Sequence, residues 1–136
     1  MASIRDVMTS GPASCEPTTT VVDAARIMAQ EDVGPVPVVE GGRVVGMVTD
    51  RDIVVRVIAE GRDASSTTIG DIASTDVVAV EPDTDLEEAL TLMGSHQVRR
   101  LPVTENGELV GIVAQADVAR AVDEVRTGEV VLDISQ

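Results

Sequence analysis

Two stretches of the chain place apolar residues at the spacing of one helix face. These positions are Val21, Ala24, Ala25 and Met28 in the first stretch and Leu86, Ala89, Leu90 and Met93 in the second. The first stretch is preceded by Thr20 with Asp23 three residues later, and the second by Asp85 with Glu88 three residues later. Such pairs are typical of a capped helix N-terminus. The pattern therefore predicts two amphipathic helices, each with one buried face.

Each predicted helix is followed by two short, largely β-branched runs around a glycine-containing turn. The runs cover residues 36–40 and 44–48 around Gly41-Gly42, and residues 101–105 and 109–113 around Asn106-Gly107. Two such runs joined by a short turn of this kind indicate a β-hairpin. Helical apolar spacing resumes after Thr49 and after Ala114, so a closing helix is predicted after each hairpin.

The two patterns are copies of each other. Glu16-Pro17 recurs as Glu81-Pro82, 65 residues later, and this offset relates further identical residues without a gap. They are Ala24 and Ala89, Met28 and Met93, Val33 and Val98, Pro37-Val38 and Pro102-Val103, Gly42 and Gly107, Val45-Gly46 and Val110-Gly111, and Asp52 and Asp117. One hairpin is too little sheet to be stable alone. We therefore expect one α+β module of two β-α-β-β-α repeats, at 4–61 and 69–126, packed sheet to sheet about a pseudo-twofold axis, with a tail at 127–136.

The amino-acid composition limits the classes of partner that the protein is expected to bind. The 136 residues carry a net charge of -14 and contain no Phe, Trp or Tyr, and all ten basic residues are arginine. Such a charge disfavours nucleic acids and anionic membranes, and stacking platforms for single-stranded nucleic acid are missing. Cys15 has no second cysteine to pair with, and neither a secretory leader nor a spanning run is visible. We expect a cytoplasmic protein whose anionic ligands, if any, are met by arginine or backbone amides.

Five segments carry a more specific signal. The first repeat reads RDVM at 5–8, VPVV at 36–39 and VGMVTDRDI at 45–53, and the second reads HQVRRLPV at 96–103 and LVGIV at 109–113. In this order, twice, these motifs resemble a pair of CBS (cystathionine β-synthase-type) domains, often called a Bateman module. The resemblance covers nearly the whole chain. It is closest to small stand-alone bacterial CBS-pair proteins, including the hypoxic or stress-response type.

The resemblance implies a non-catalytic sensor that binds an adenosine-containing ligand in the cleft between the repeats. AMP, ADP or ATP is the implied ligand class, with S-adenosylmethionine or a cyclic dinucleotide as further candidates and no tightly bound cofactor. By position, Asp52 would bind the ribose hydroxyls, with Thr49 near the ribose and phosphate. Arg99 and Arg100 would bind phosphate. Residues 14–16, which include Ser14 and Cys15, would line the adenine.

The chemistry of these residues fits those roles independently. A carboxylate accepts hydrogen bonds from a vicinal diol, arginine binds phosphate with paired donors, and helix N-termini offer further amide donors. The second repeat, however, has Ala114 and Ala116 where the first has Thr49 and Arg51, and Arg99-Arg100 correspond to Gly34-Pro35. We therefore expect one phosphate-binding site that combines Thr49 and Asp52 with Arg99 and Arg100. A second site, keeping Asp117 alone, would be empty or limited to ligands without phosphate.

Structural interpretations of the same residues stay open. Thr49 and Asp52 also form a capping-box pattern, and Arg99-Arg100 could be a solvated loop paired with carboxylates. His96 is most simply a surface residue at a helix end, because a metal site would need several other ligands. Cys15 is most simply a small buried apolar residue. No metal site and no catalytic residue are predicted.

Two functions from different classes remain at this point. The first is the adenine-nucleotide sensor, in an energy-sensing or stress-response role. The second is a ligand-independent module that dimerises or docks on an unidentified regulated protein. The resemblance also implies a flat homodimer formed through the capped helices, where Ala24, Ala25 and Ala89, expected to be exposed, would permit close packing.

Overall fold

The computed structural model describes the backbone of residues 2–135 and the side chains of residues 2–127. Of the predicted tail at 127–136, residue 136 and the side chains from 128 onward lie outside the described residues. The elements are α1 (Ile4–Val7), β1 (Thr9–Ser10), α2 (Val21–Glu31), β2 (Pro35–Glu40), β3 (Arg43–Thr49), α3 (Asp50–Ile53), a π-helical turn (Val54–Ile58), a 3₁₀ turn (Ile69–Asp71), α4 (Leu86–His96), β4 (Arg100–Glu105), β5 (Glu108–Ala114) and α5 (Gln115–Ser135). Helices and antiparallel strands together confirm the α+β class.

The predicted local signals form the predicted elements. Thr20 caps α2 by accepting a hydrogen bond from the Asp23 amide at 3.2 Å, and Asp85 caps α4 by accepting from the Glu87 amide at 3.3 Å. The strands β2 and β3 form a hairpin around Gly41 and Gly42, whose φ values of 60° and 83° lie in the left-handed region. Glycine adopts that region without a steric cost, which explains the position of the turn.

The chain divides into two compact units. One unit contains α1, β1, α4, β4, α5 and the part of β5 from Val110 onward. The other contains α2, β2, β3, α3, both short helical turns and residues Gly107–Leu109. The leading segment of each repeat therefore belongs to the unit that holds the other repeat's helices and hairpin, because α1 groups with α4 and the 3₁₀ turn groups with α2.

The exchanged segments make equivalent contacts in the two units. In the first unit, Thr9 pairs antiparallel with Ile112, and in the second, Ser74 forms an antiparallel bridge with Met47. Both members of the first pair lie 65 residues from their counterparts in the second. The burial patterns of β3 and β5 are also identical along their seven residues. The internal repeat is thus a structural repeat.

Each unit has its own apolar core. In the first unit the core is Ile4, Val80, Leu86, Ala89, Met93, Leu101, Val103, Val113, Val118 and Val122. In the second it is Cys15, Val21, Ala24, Met28, Val36, Val38, Val48, Val57, Ile69 and Ile72. The prediction that Ala24 and Ala89 are exposed is wrong, because both are fully buried in these cores. They lie on the same apolar stripe that buries their helices, which leaves only Ala25 exposed.

Candidate functional site

Thr49 and Asp52 meet where β3 ends and α3 begins. Thr49 is extended, with φ -122° and ψ 162°, and its hydroxyl oxygen accepts from the Asp52 amide at 3.1 Å. In return, the Thr49 amide donates to Oδ2 of Asp52 at 2.9 Å. This is a complete capping box. The structural interpretation of this pair is therefore correct, and any ligand contact is made in addition to it.

The capping box leaves one carboxylate oxygen of Asp52 open. Oδ2 is held by the Thr49 amide, whereas Oδ1 accepts no hydrogen bond from any residue in the described part of the chain. Nε of Arg56 lies 4.0 Å from Oδ1, beyond hydrogen-bonding distance. The Asp52 side chain is 24% exposed. Asp52 is thus a partly buried, oriented carboxylate with a free acceptor.

The amides at the start of α3 are less available than the sequence predicts. The Asp52 amide donates to Thr49, and the Arg51 amide donates to Oδ1 of Asp50 at 2.9 Å. An anion arriving at this helix end would have to displace these bonds. Phosphate binding would therefore depend on arginine side chains.

Asp117 occupies the equivalent position in the other unit but is held differently. Its Oδ1 lies 3.6 Å from Nη1 of Arg120, and its side chain is 47% exposed. Ala114 stands where Thr49 stands and has no side-chain oxygen for a cap. Among the described residues, no hydrogen bond orients the Asp117 carboxylate. The two carboxylates are therefore unequal, as the sequence comparison of the repeats indicates.

Arg99 and Arg100 lie at the start of β4, and both side chains are exposed. Neither pairs with a carboxylate in the described part of the chain; Arg100 donates to the Arg99 carbonyl at 3.4 Å. The Arg99 carbonyl also accepts from the Gln115 amide at 2.8 Å, which ties the loop to the start of α5. Both arginines line an open groove of about 460 Å³, together with Leu90, Gln115, Ala116 and Ala119. Two available guanidinium groups in such an acidic chain are suited to an anion.

Cys15 is a core residue with an unreactive thiol. It is 4% exposed, and its segment runs parallel to β2, with the Cys15 amide donating to the Pro37 carbonyl at 3.0 Å. Burial raises the pKa of the Cys15 thiol from 9.0 to about 11. The thiolate needed for nucleophilic or metal chemistry is therefore disfavoured. Ser14, beside it, is exposed.

The structure divides the predicted site residues between the units. Thr49, Asp52, Ser14 and Cys15 belong to the second unit, and the remaining predicted residues, Arg99, Arg100 and Asp117, belong to the first. Sequence reasoning missed Arg56, whose guanidinium lies beside Asp52. The signal was available, since Arg56 follows Asp52 by four residues on a helix and such pairs face each other.

Three further observations concern metal-binding side chains and membrane-spanning helices. No group of three or more His, Cys, Asp or Glu side chains is arranged there to hold a metal ion. His96 is exposed at the end of α4. The same part of the chain contains no helix with both the length and the apolar character needed to cross a membrane.

Comparison with known proteins identifies related sequences. Residues 4–59 and 69–124 each match the family model of the CBS domain. The CBS domain-containing protein YhcV of Bacillus subtilis is 46% identical over 119 residues, which cover 88% of this chain and 84% of YhcV. Hypoxic response protein 1 of Mycobacterium tuberculosis is 38% identical over 125 residues, covering 91% of this chain and 87% of that protein.

Solved structures show the same fold. The crystal structure of Hypoxic Response Protein I with two coordinated zinc ions has a TM-score of 0.80 at 38% identity, covering 89% of this chain and 99% of that chain. The crystal structure of CBSX2 in complex with AMP has a TM-score of 0.77 at 27% identity, covering 93% of this chain and 99% of that chain.

Proposed function

The chain belongs to the CBS domain family and carries two copies of the domain, and from this premise we propose that it is a non-catalytic sensor of adenosine-containing ligands. The ligand class we propose is AMP, ADP or ATP, bound reversibly. Binding would regulate an unidentified partner protein, in keeping with the hypoxic response relative. The proposal rests on the residues at the start of α3 and on the available arginines.

The observation that carries the proposal is the open oxygen of Asp52. A ribose presents two adjacent hydroxyl donors, and a carboxylate has lone pairs for both. Here Oδ2 is already held by the Thr49 amide at 2.9 Å, so Oδ1 is oriented before a ligand arrives. Preorganisation of this kind lowers the entropic cost of binding. We assign Asp52 to the ribose and Thr49 to the support of Asp52.

The arginines supply the charge that a nucleotide requires. We assign phosphate binding to Arg99 and Arg100, which have no carboxylate partner in the described residues. The segment at Ser14 and Cys15 is our candidate for the adenine contact, made mainly by the exposed Ser14, because the Cys15 thiol is buried and the Cys15 amide and carbonyl are bonded to Pro37 and Val39. Asp117 would support at most a weaker site, since its carboxylate is more exposed and not oriented by a cap.

A solved relative with AMP bound supports the choice of ligand class. CBSX2, which shares the fold over 93% of this chain, was crystallised in complex with AMP. Adenosine, AMP, ADP and ATP share the ribose diol that Asp52 would bind and differ in phosphate. They therefore separate the contribution of the carboxylate from that of the arginines.

Thermal unfolding with a panel of these four ligands tests the proposal. A ligand at one hundred times its Kd stabilises the native state by about 2.7 kcal/mol, which for a chain of this size raises the Tm by several degrees. Guanosine and GMP serve as controls for the base. If none of the adenine ligands raises the Tm at millimolar concentration, the sensor function is refuted.

A second candidate function, a ligand-independent interaction module, is favoured by one exposed surface. Val54, Val55 and Ile58 on the π-helical turn are 58%, 47% and 61% exposed. Neighbouring exposed aliphatic side chains of this kind often mark protein contacts. A homodimer would bury them, and light scattering distinguishes a dimer from a 14.2 kDa monomer. A dimer lost in Ile58→Glu, combined with no response to nucleotides, would favour this function over the sensor.

A further inference from the structure

Arg56 is held near Asp52 by a bond on its far side. Nη1 of Arg56 donates to the Ile72 carbonyl at 3.1 Å, while Nε lies 4.0 Å from Oδ1 of Asp52. An unrestrained arginine beside a carboxylate typically closes to about 2.7–2.9 Å. The bond to Ile72 thus keeps the positive charge close to the carboxylate without occupying its open oxygen.

The Ile72 carbonyl is a firm anchor. The Ile72 side chain is 1% exposed, and the Ile72 amide donates to the Ile69 carbonyl at 3.1 Å. Two residues further, the Ser74 and Met47 amides and carbonyls exchange hydrogen bonds, both of 2.9 Å. The carbonyl is therefore positioned by core packing on one side and by strand pairing on the other. The hydrogen bond to this carbonyl therefore also fixes the position of the Arg56 guanidinium.

A carboxylate alone is a poor neighbour for a nucleotide. It accepts a hydrogen bond from the ribose but repels the phosphate of the same ligand. Salt does not fully screen this repulsion, because the Debye length of about 8–10 Å spans a nucleotide. Arg56 offsets this repulsion, because its hydrogen bond to the Ile72 carbonyl holds its positive charge beside the carboxylate. Its side chain is 56% exposed, so its charge also acts on a ligand in solution.

We propose that Arg56 is a specificity-determining residue of the Asp52 site. It leaves Oδ1 open for a ribose hydroxyl and makes the site favour a phosphorylated nucleoside over the uncharged nucleoside. This inference rests on the proposed function and adds to it a residue that selects for ligand charge. The role is one of charge and position and requires no contact between Arg56 and the ligand.

The chain offers a matched control in its other unit. Arg120 pairs with Asp117 at 3.6 Å, and Asp117 is the counterpart of Asp52. The position equivalent to Arg56 is Ala121, so the second repeat has no arginine at this place. Removing the charge of Arg120 changes the net charge of the chain by the same amount without altering the Asp52 site.

Titration calorimetry with AMP and adenosine on Arg56→Gln and Arg120→Gln tests the inference. Glutamine is polar but carries no charge, and its side chain is too short to make the hydrogen bond of the Arg56 Nη1 to the Ile72 carbonyl. We expect Arg56→Gln to weaken AMP binding about fivefold and adenosine binding less than about twofold, with the difference shrinking at high salt. We expect Arg120→Gln to change neither. Arg56→Lys, which keeps the charge, should retain most of the preference for AMP.

The outcomes distinguish a failure of the Arg56 inference from a failure of the proposed function. Equal losses for AMP and adenosine in Arg56→Gln would mean a purely structural role and would overturn the inference, as would an unchanged ratio of the two affinities. A change of ratio in Arg120→Gln as large as that in Arg56→Gln would also overturn it, since the effect would then be one of net charge. Wild-type protein that binds neither ligand would refute the proposed function itself.

Discussion

Replacing Asp52 by asparagine separates its role in the helix cap from its role towards a ligand. The side-chain carbonyl of asparagine can accept from the Thr49 amide as Oδ2 does now at 2.9 Å. The amide nitrogen then takes the place of Oδ1, where it donates hydrogen bonds instead of accepting them. Asp52→Asn therefore preserves the capping box and removes the open acceptor.

The expected loss is that of a hydrogen bond to a charged group, about 1.5–3 kcal/mol, or on the order of 10- to 150-fold in Kd. Because the ribose diol is common to adenosine and AMP, both should lose affinity by a similar factor. Asp117→Asn, at the exposed and uncapped counterpart, should lose less than about threefold. The Tm of both variants without ligand should remain near that of the parent protein.

Titration calorimetry on the two variants provides the measurement, with the unliganded Tm as the check on folding. Equal losses in Asp52→Asn and Asp117→Asn, or two equivalent sites in the parent protein, would refute the one-site reasoning and leave the fold unaffected. An unchanged affinity in Asp52→Asn would show that the open oxygen does not bind the ligand.

Three further predictions concern the arginine pair, the exchanged segment and the buried thiol. Arg100→Ala should weaken AMP binding more than adenosine binding, and added salt should likewise weaken AMP binding more than adenosine binding. Equal effects on the two ligands in calorimetry would contradict the phosphate assignment. Gly46→Ala should destabilise the fold by about 1–3 kcal/mol in urea unfolding, because a Cβ there lies 2.7 Å from the Ser74 carbonyl oxygen. Gly111→Ala should cost less, since its contact at 2.7 Å is the flexible Met8 side chain and the Thr9 carbonyl oxygen lies farther away, at 3.0 Å. The reverse order would contradict this account of the close approach. Because the pKa of Cys15 is raised from 9.0 to about 11, the unfolded chain loses its thiol proton first, and stability should fall by about 2 kcal/mol between pH 9 and 11. Cys15→Ala should lack that component of the pH profile, and an identical profile in both proteins would contradict it.

The sequence was sufficient for features encoded by neighbouring residues. The caps at Thr20 and Asp85 and the glycine turn of the first hairpin depend on residues within a few positions of each other, so the helix and strand limits could be predicted closely. The capping box of Thr49 and Asp52 can be predicted for the same reason, although the open oxygen of Asp52 cannot. Whether Oδ1 is occupied depends on residues that approach from elsewhere in the chain.

Features that depend on contacts between distant segments of the chain cannot be predicted from the sequence pattern. The exchange of leading segments between the units has no local signal, because Ser74 is far from Met47 in the chain. The error at Ala24 and Ala89 had a different origin. Their exposure is expected only because the resemblance implies a dimer through these helices, whereas both belong to the apolar stripe that predicts burial, and the cores bury them completely.

Because of the exchange of leading segments, the proposed Asp52 site depends on residues of both repeats. Asp52 and Arg56 belong to the first repeat, but the carbonyl that restrains Arg56 belongs to Ile72, in the leading segment of the second. The same segment is tied to β3 through the pair of hydrogen bonds between Ser74 and Met47. Without the leading segment of the second repeat, Arg56 would lose this restraint. Arg56 would then be free to close on Oδ1, so the open acceptor is a property of the pair of repeats and not of one copy.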